Sequence, residues 1–162
     1  MSLSILSQTR LRELLHYEPA TGIFTRLVTT NTNNAKAGSV AGCLCPNGYI
    51  TIGINGKEYL AHRLAYFYMT GDWPPAMIDH RDTCRHNNVW ANLRPATQAE
   101  NMLNTGAPKN NKLGHKNISK SHGYSYVVQV QRVYLGSSVC LDTAIAWRDF
   151  AVEFCAGDFA RI

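Results

Sequence analysis

The chain has 162 residues, 45% of them hydrophobic and 17% charged, with a formal net charge of +5. That balance belongs to a folded soluble protein of one medium domain or two small ones, and it excludes a disordered chain. No apolar run approaches ~18 residues, which excludes a transmembrane helix. Residues 1–12 lack a basic segment followed by an apolar core, so no secretory signal is expected and the expected compartment is the cytoplasm. The five cysteines are odd in number and include no C-x-x-C pair, so neither a disulfide framework nor a four-thiolate zinc site is expected.

In chain order, Leu11, Leu14 and Leu15 fall at i, i+3 and i+4, with Ile5 and Leu6 ahead, and predict a short amphipathic helix within residues 4–17. Tyr17-Glu18-Pro19-Ala20-Thr21-Gly22 reads as a turn and residues 23–27 as a strand. The Asn- and Thr-rich stretch 29–34 is expected to be a loop. Residues 48–54 and 57–60 flank Asn55-Gly56, the strongest short hairpin signal, because both turn positions need positive φ. Residues 62–70 predict a buried helix closed by Gly71, with Trp73-Pro74-Pro75 blocking any continuation. His62 and Arg63 stand at its start, where a phosphate could be held or a histidine could pack locally.

The next segment carries the chemistry. Asp79-His80 is followed by Asn87-Asn88, Asn92 and Asn101. Hydrolysing a phosphodiester needs an activated water, charge stabilisation at the phosphoryl oxygens and help for the leaving oxygen. Hard oxygen donors such as the Asp79 carboxylate and the Asn101 amide suit Mg²⁺ or Mn²⁺. His80, with an ordinary pKa near 6.5, is the natural base for the water. Strand neighbours point to opposite faces, so Asp79 and His80 can serve one site only at a strand end or a bulge. Thr97 and Glu100 form a capping box for a helix carrying Asn101 in its first turn, which makes strand, loop, return strand near Leu93-Arg94, and helix.

After Thr105 the composition shifts to Gly, Lys and Asn, a linker. Residues 106–141 contain no Asp or Glu but include Lys109, Lys112, Lys116, Lys120 and Arg132, a strip of one sign suited to phosphate contact. Three short strands are expected at 116–121, 124–131 and 132–139. Asp142 or Thr143 is expected to cap a final helix whose Trp147, Phe150, Ala151 and Phe154 form the apolar stripe, with Gly157 ending it.

The run Tyr59-Leu60-Ala61-His62-Arg63-Leu64-Ala65, then Ile78-Asp79-His80, Asn88, Asn92-Leu93-Arg94, Ala96-Thr97 and Glu100-Asn101, resembles the HNH endonucleases of phages and mobile introns. Glu18-Pro19, Thr21-Gly22 and Ile23-Phe24 resemble the lead-in of the phage-encoded members. The resemblance implies a ββα-metal hairpin with one divalent ion, Mg²⁺ or Mn²⁺, held by Asp79 and Asn101. It makes His80 the general base and Asn92 the brace of the loop that orients it. The implied reaction cuts double-stranded DNA, nicking expected, leaving 5′-phosphate and 3′-hydroxyl ends. Two positions depart from the pattern. Thr83 stands where the family often has Gly, and a threonine does not take positive φ as Gly does, so a loop of different shape is expected. Asn101 stands in place of His.

The C-terminal part is similar to the small DNA-binding domain of the plant Apetala class. Leu135-Gly136-Ser137, Asp142-Thr143-Ala144-Ile145-Ala146 and Gly157-Asp158-Phe159-Ala160 carry that likeness. It implies a sheet face in the major groove, with Arg132, Tyr124, Tyr126 and Gln129 as contacts; the alternative is that Tyr126, Val128 and Val130 only pack under the final helix. Arg63, Arg81 and Arg94 join the five basic residues as expected DNA contacts. The expected fold is α+β: a nuclease module over 1–105 (core 59–105), a linker over 106–115 and a DNA-binding domain over 116–162. Double-stranded DNA is the expected partner, no membrane is expected to be involved, and the oligomeric state stays open, with a monomer favoured. Two other readings stay open as well, a DNA-binding accessory protein without cleavage and an RNA-directed nuclease.

Overall fold

The computed structural model describes residues 6–30, 35–74, 77–108, 110–121 and 123–156, except the side chains of Leu103 and Ala156. Ile5, part of the 29–34 loop, Pro75, Lys109 and the stretch from Gly157 lie outside the described residues. The fold is α+β, with helices and small antiparallel sheets in two compact units, Met1–Ala96 and Thr97–Ile162. The division falls just ahead of the helix that carries Asn101.

In the first unit, helix α1 (Gln8–Leu14) starts at Ser7, whose side chain accepts the Arg10 N–H at 3.1 Å. It is shorter than the sequence suggests. Leu15 opens a strand, β1 (Leu15–Glu18), paired antiparallel with β2 (Ile23–Arg26), which in turn pairs with β3 (Val40–Ala41). The reason is alternation: Leu15 and Tyr17 enter the core while His16 and Glu18 face out, a period of two that no helix can satisfy. A second sheet holds β4 (Cys43–Leu44), β5 (Ile50–Ile54) and β6 (Lys57–Leu60). Its hairpin turns at Asn55 (φ 51°) and Gly56 (φ 76°), as the Asn-Gly pair predicts.

Helix α2 (Ala61–Thr70) ends on Gly71 at φ 86°, whose N–H returns to the Phe67 carbonyl at 3.0 Å. Its inner face, with Leu64, Ala65 and Phe67, joins Leu11, Leu15, Tyr17, Phe24 and Ile52 in one core. Trp73 stacks on Phe67 with ring centroids 4.4 Å apart and fixes the exit from the helix. The chain then forms β7 (Met77–His80) and, after a 3₁₀ turn at Trp90–Asn92, its antiparallel partner β8 (Leu93–Ala96).

In the second unit, α3 (Gln98–Asn104) begins with the expected capping box: the Thr97 hydroxyl accepts the Glu100 N–H at 3.2 Å and the Thr97 N–H reaches Glu100 Oε2 at 2.7 Å. Strands β9 (Ile118–Lys120), β10 (Tyr126–Val130) and β11 (Val133–Ser138) make an antiparallel sheet with β10 in the middle. Helix α4 (Leu141–Ala156) covers it, and Ile118, Val128 and Ala144 form the buried centre.

The expected apolar stripe of α4 is wrong. Phe150 and Phe154 are 73% and 85% exposed, while Ala144, Arg148 and Val152 are buried at i, i+4 and i+8. Small Ala144 sits in the cluster with Ile118 and Val128, and Arg148 donates to the Lys116 carbonyl and Asp149, so its charge is satisfied inside. Asp142 and Thr143 are not caps, because the helix begins one residue earlier and holds both in its first turn. All five cysteines are free, and among the described residues no helix is long and apolar enough to cross a membrane.

Candidate active site

Strand β7 ends on His80, the strand-end position that consecutive residues need if they are to serve one site, and both Asp79 and His80 are buried, at 5% and 4% exposure. Asp79 pairs across the hairpin with Arg94, which donates to Oδ2 from Nε at 2.8 Å and from Nη2 at 2.7 Å. Arg94 therefore is not the DNA contact expected of it. At 6% exposure, with its guanidinium on Asp79, it is part of the interior.

The His80 ring lies 3.4 Å from Asn88 Oδ1 through Nε2. Two further rings flank it, His62 edge-on at 5.1 Å and Tyr49 at 6.0 Å. Burial pulls the His80 pKa below 6.5, and Arg85 adds to this, although Asn88, Asp82 and Asp79 all act the other way. The imidazole is therefore neutral near pH 7, the form that can take a proton.

The loop between the strands is tied by its own amides. Asp82 accepts from Asn87 Nδ2 at 2.6 Å, from the Cys84 N–H at 2.8 Å and from Asn92 Nδ2 at 2.9 Å. Asn92 also accepts the Asp82 N–H at 3.0 Å and donates to the Asn87 carbonyl at 2.8 Å. Thr83 takes φ 62° with its N–H on the His80 carbonyl at 2.8 Å, contrary to the expectation that a threonine would avoid this region. The turn bond and the Asp82 cluster outweigh a left-handed cost of about 1–2 kcal/mol.

The lead-in segment holds the same loop from behind. The Tyr17 hydroxyl donates to the Asn88 carbonyl at 2.7 Å, and the Trp90 N–H donates to the Pro19 carbonyl at 3.0 Å. Burial first, and Glu18 second, push the Tyr17 pKa up, so it remains a donor. Gly22, at φ +72°, leaves no room: a Cβ there would meet the Asn88 carbonyl carbon at 2.3 Å and the Val89 nitrogen at 2.4 Å. Gly22→Ala is expected to cost about 3 kcal/mol through overpacking and backbone strain, read as a lower urea midpoint.

His62 is buried and its Nδ1 has no hydrogen-bond partner. Burial, then His80 and Arg63, hold its pKa down to about 3. The unfolded chain takes up this proton near 6.5 while the folded one refuses it. Stability is therefore full above pH 6.5 and declines as pH falls toward 3, by up to about 1.4 kcal/mol per unit. Urea unfolding near pH 7 and near pH 5 is expected to show that decline, and a shallower one in His62→Leu.

The expected DNA contacts divide. Lys112, Lys120, Tyr124, Gln129 and Arg132 are exposed in the second unit, and Arg81 is exposed at the start of the loop. Arg132 sits with Gln131 in the β10–β11 turn, both at positive φ. Lys116 instead spends its ammonium on the Met102 and Thr105 carbonyls. Tyr126 packs against the Ile118–Val128–Ala144 cluster on the helix side of the sheet, as its place two residues before Val128 requires. Arg63 is half-buried, with Nη2 3.4 Å from the Pro74 carbonyl. Asn101 stands in the first turn of α3, in the second unit.

Sequence reasoning assigned no role to Asn88, Asp82 or Tyr49 and only a general one to His62. The signal for the first two was present: Asp and Asn crowded between two strands are the residues that bond their own backbone. The ring contacts had no local signal. Among the described residues no group of three or more His, Cys, Asp or Glu is placed to share a metal ion. The donors that remain, a carboxylate and by resemblance an amide oxygen, are hard ligands that fit Mg²⁺ or Mn²⁺ keeping most of its waters.

Strand, loop, strand and helix in that order, with a carboxylate and an imidazole closing the first strand, define the ββα-metal class of nuclease folds. Residues 59–103 match the family model described as HNH endonuclease, so this segment is an HNH endonuclease domain, a domain of nuclease enzymes. A solved structure described as "DNA binding and cleavage by the HNH homing endonuclease I-HmuI" is 26% identical, with a TM-score of 0.41, over 54% of this chain and 49% of that one. The chain thus spans about half the length of that relative. No curated protein matches the chain.

Proposed function

We propose that the protein is a metal-dependent endonuclease that nicks double-stranded DNA, leaving 5′-phosphate and 3′-hydroxyl ends. The observation that carries this reading is the neutral, buried His80 beside Asp79, in a segment matching the HNH endonuclease model. The Asn88 amide nitrogen donates to the His86 carbonyl at 3.3 Å, so its oxygen faces His80. An oxygen can only accept, so this contact makes Nε2 the protonated nitrogen, and the neutral imidazole is proposed to take the proton of the attacking water through Nδ1. Asn92 keeps the loop, and so Asn88, in place. Asp79 and Asn101 are the residues proposed to hold one Mg²⁺ or Mn²⁺. When bound, that ion supplies charge stabilisation at the phosphoryl oxygens and assistance to the leaving oxygen.

The C-terminal sheet unit is proposed to bind the duplex, in the manner of the Apetala class, through Lys112, Lys120, Tyr124, Gln129 and Arg132; Arg81 is proposed to add a contact near the cut. Its affinity should fall steeply with salt. Replacing Lys112, Lys120 and Arg132 by alanine is expected to lower the slope of log K against log salt by about 0.9 per residue, measured by fluorescence anisotropy on a duplex. Conversion of supercoiled plasmid to open circle with Mg²⁺ or Mn²⁺, blocked by EDTA, tests the activity. Binding without conversion on any DNA or metal would remove the enzyme reading.

A further inference from the structure

Arg85 reaches from the loop between β7 and β8 to the β4–β5 turn, residues 45–49, and is held there twice. Its Nη1 donates to the Asn47 carbonyl at 2.9 Å, and its guanidinium lies over the Tyr49 ring with Cζ 5.1 Å from the centroid. The aliphatic stem runs past Gly48, where a Cβ would lie 3.6 Å from Arg85 Cδ. The turn itself is closed by the Cys45 N–H on the Tyr49 carbonyl at 2.8 Å. The Tyr49 ring also packs against the His62 ring at 5.2 Å and the His80 ring at 6.0 Å. One aromatic ring therefore has both the guanidinium and the His80 imidazole as neighbours. Arg85 is exposed, its partners are neutral, and among the described residues no carboxylate pairs with it. A guanidinium carries several N–H donors in a planar fork that matches phosphate oxygens, so the Asn47 carbonyl does not exhaust it.

We infer that Arg85 is a catalytic residue that grips the phosphate presented to His80, its fork held in place before DNA arrives by the Tyr49 ring and the Asn47 carbonyl. The inference rests on the endonuclease reading. A side chain already fixed by packing loses less freedom on binding than a mobile one. Its charge also stands ready where negative charge builds on the phosphoryl oxygens, with no reorganisation at the moment of reaction. Lysine keeps that charge but lacks the planar fork that stacks on a ring and holds a carbonyl and a phosphate together.

The test compares full-length wild type, Arg85→Gln and Arg85→Lys, with circular dichroism as the check of folding. Duplex affinity is read by fluorescence anisotropy in EDTA across a salt series. Nicking of supercoiled plasmid is followed with Mg²⁺ at saturating protein, so that weaker binding does not slow it. Arg85→Gln is expected to lower the slope of log K against log salt by about 0.9 and the saturated nicking rate by roughly 10²-fold. Arg85→Lys is expected to keep the wild-type slope but to nick more slowly than wild type. An unchanged slope in folded Arg85→Gln overturns the inference, because a residue that only braces two loops releases no counterions from DNA. A lowered slope with an unchanged saturated rate overturns it too, since the phosphate gripped is then not the one being cut. Wild-type nicking by folded Arg85→Lys overturns it independently of the glutamine variant. A wild type that converts no plasmid removes the endonuclease reading, and the inference with it.

Discussion

His80→Ala is expected to reduce metal-dependent nicking of supercoiled plasmid by roughly 10²–10⁴, the range for loss of a general base, while duplex binding stays at the wild-type level. The two effects separate because of where the residue sits. His80 is buried at the end of β7 and its ring meets Asn88 inside the loop, whereas, apart from neighbouring Arg81 and Arg85, the residues proposed to contact the duplex are exposed in the second unit. Its removal leaves the Asp79–Arg94 pair and the Asp82–Asn92 bonds intact. Parallel plasmid conversion and anisotropy measurements read both quantities. Equal cleavage by wild type and variant would exclude His80 as the base. Equal loss of binding would mean that the variant had damaged the fold instead.

Arg94→Ala is the largest expected stability change. It leaves the Asp79 carboxylate buried without the guanidinium that neutralises it, a loss of about 3–5 kcal/mol out of a total that for most domains is about 5–15 kcal/mol. A large drop in the urea midpoint is expected. The double variant Asp79→Ala with Arg94→Ala should recover much of that loss, since removing both partners leaves no stranded charge. A single variant as stable as wild type would show that the Asp79 carboxylate does not depend on Arg94 for its neutralisation.

Much of this architecture was readable residue by residue. The Asn55-Gly56 turn, the Gly71 helix end and the Thr97–Glu100 capping box each depend on groups within a few positions of one another, so the local sequence contains the whole reason for them. The same is true of a strand carrying Asp79-His80 and of a return strand at Leu93-Arg94. Helix α1 failed at its C-terminal end because Leu14 and Leu15 suit a helical stripe, while Leu15 and Tyr17 suit a strand equally well. Helix α4 failed for a related reason. Two faces of it are apolar, and the sheet accepted the face with small Ala144 rather than the one with Phe150 and Phe154.

By itself the sequence determined the class of chemistry, because a carboxylate, an imidazole and hard amide oxygens at fixed spacing state what a site can do wherever it is placed. It also determined the turns and caps, whose hydrogen bonds are local. Only tertiary structure decided the partners. That Arg94 holds Asp79 across fifteen residues, that Asn88 faces His80, that Gly22 lies against Asn88 and that His62 flanks the His80 ring follow from strand register and close packing. Those are relations between distant segments, and no spacing along one chain encodes them.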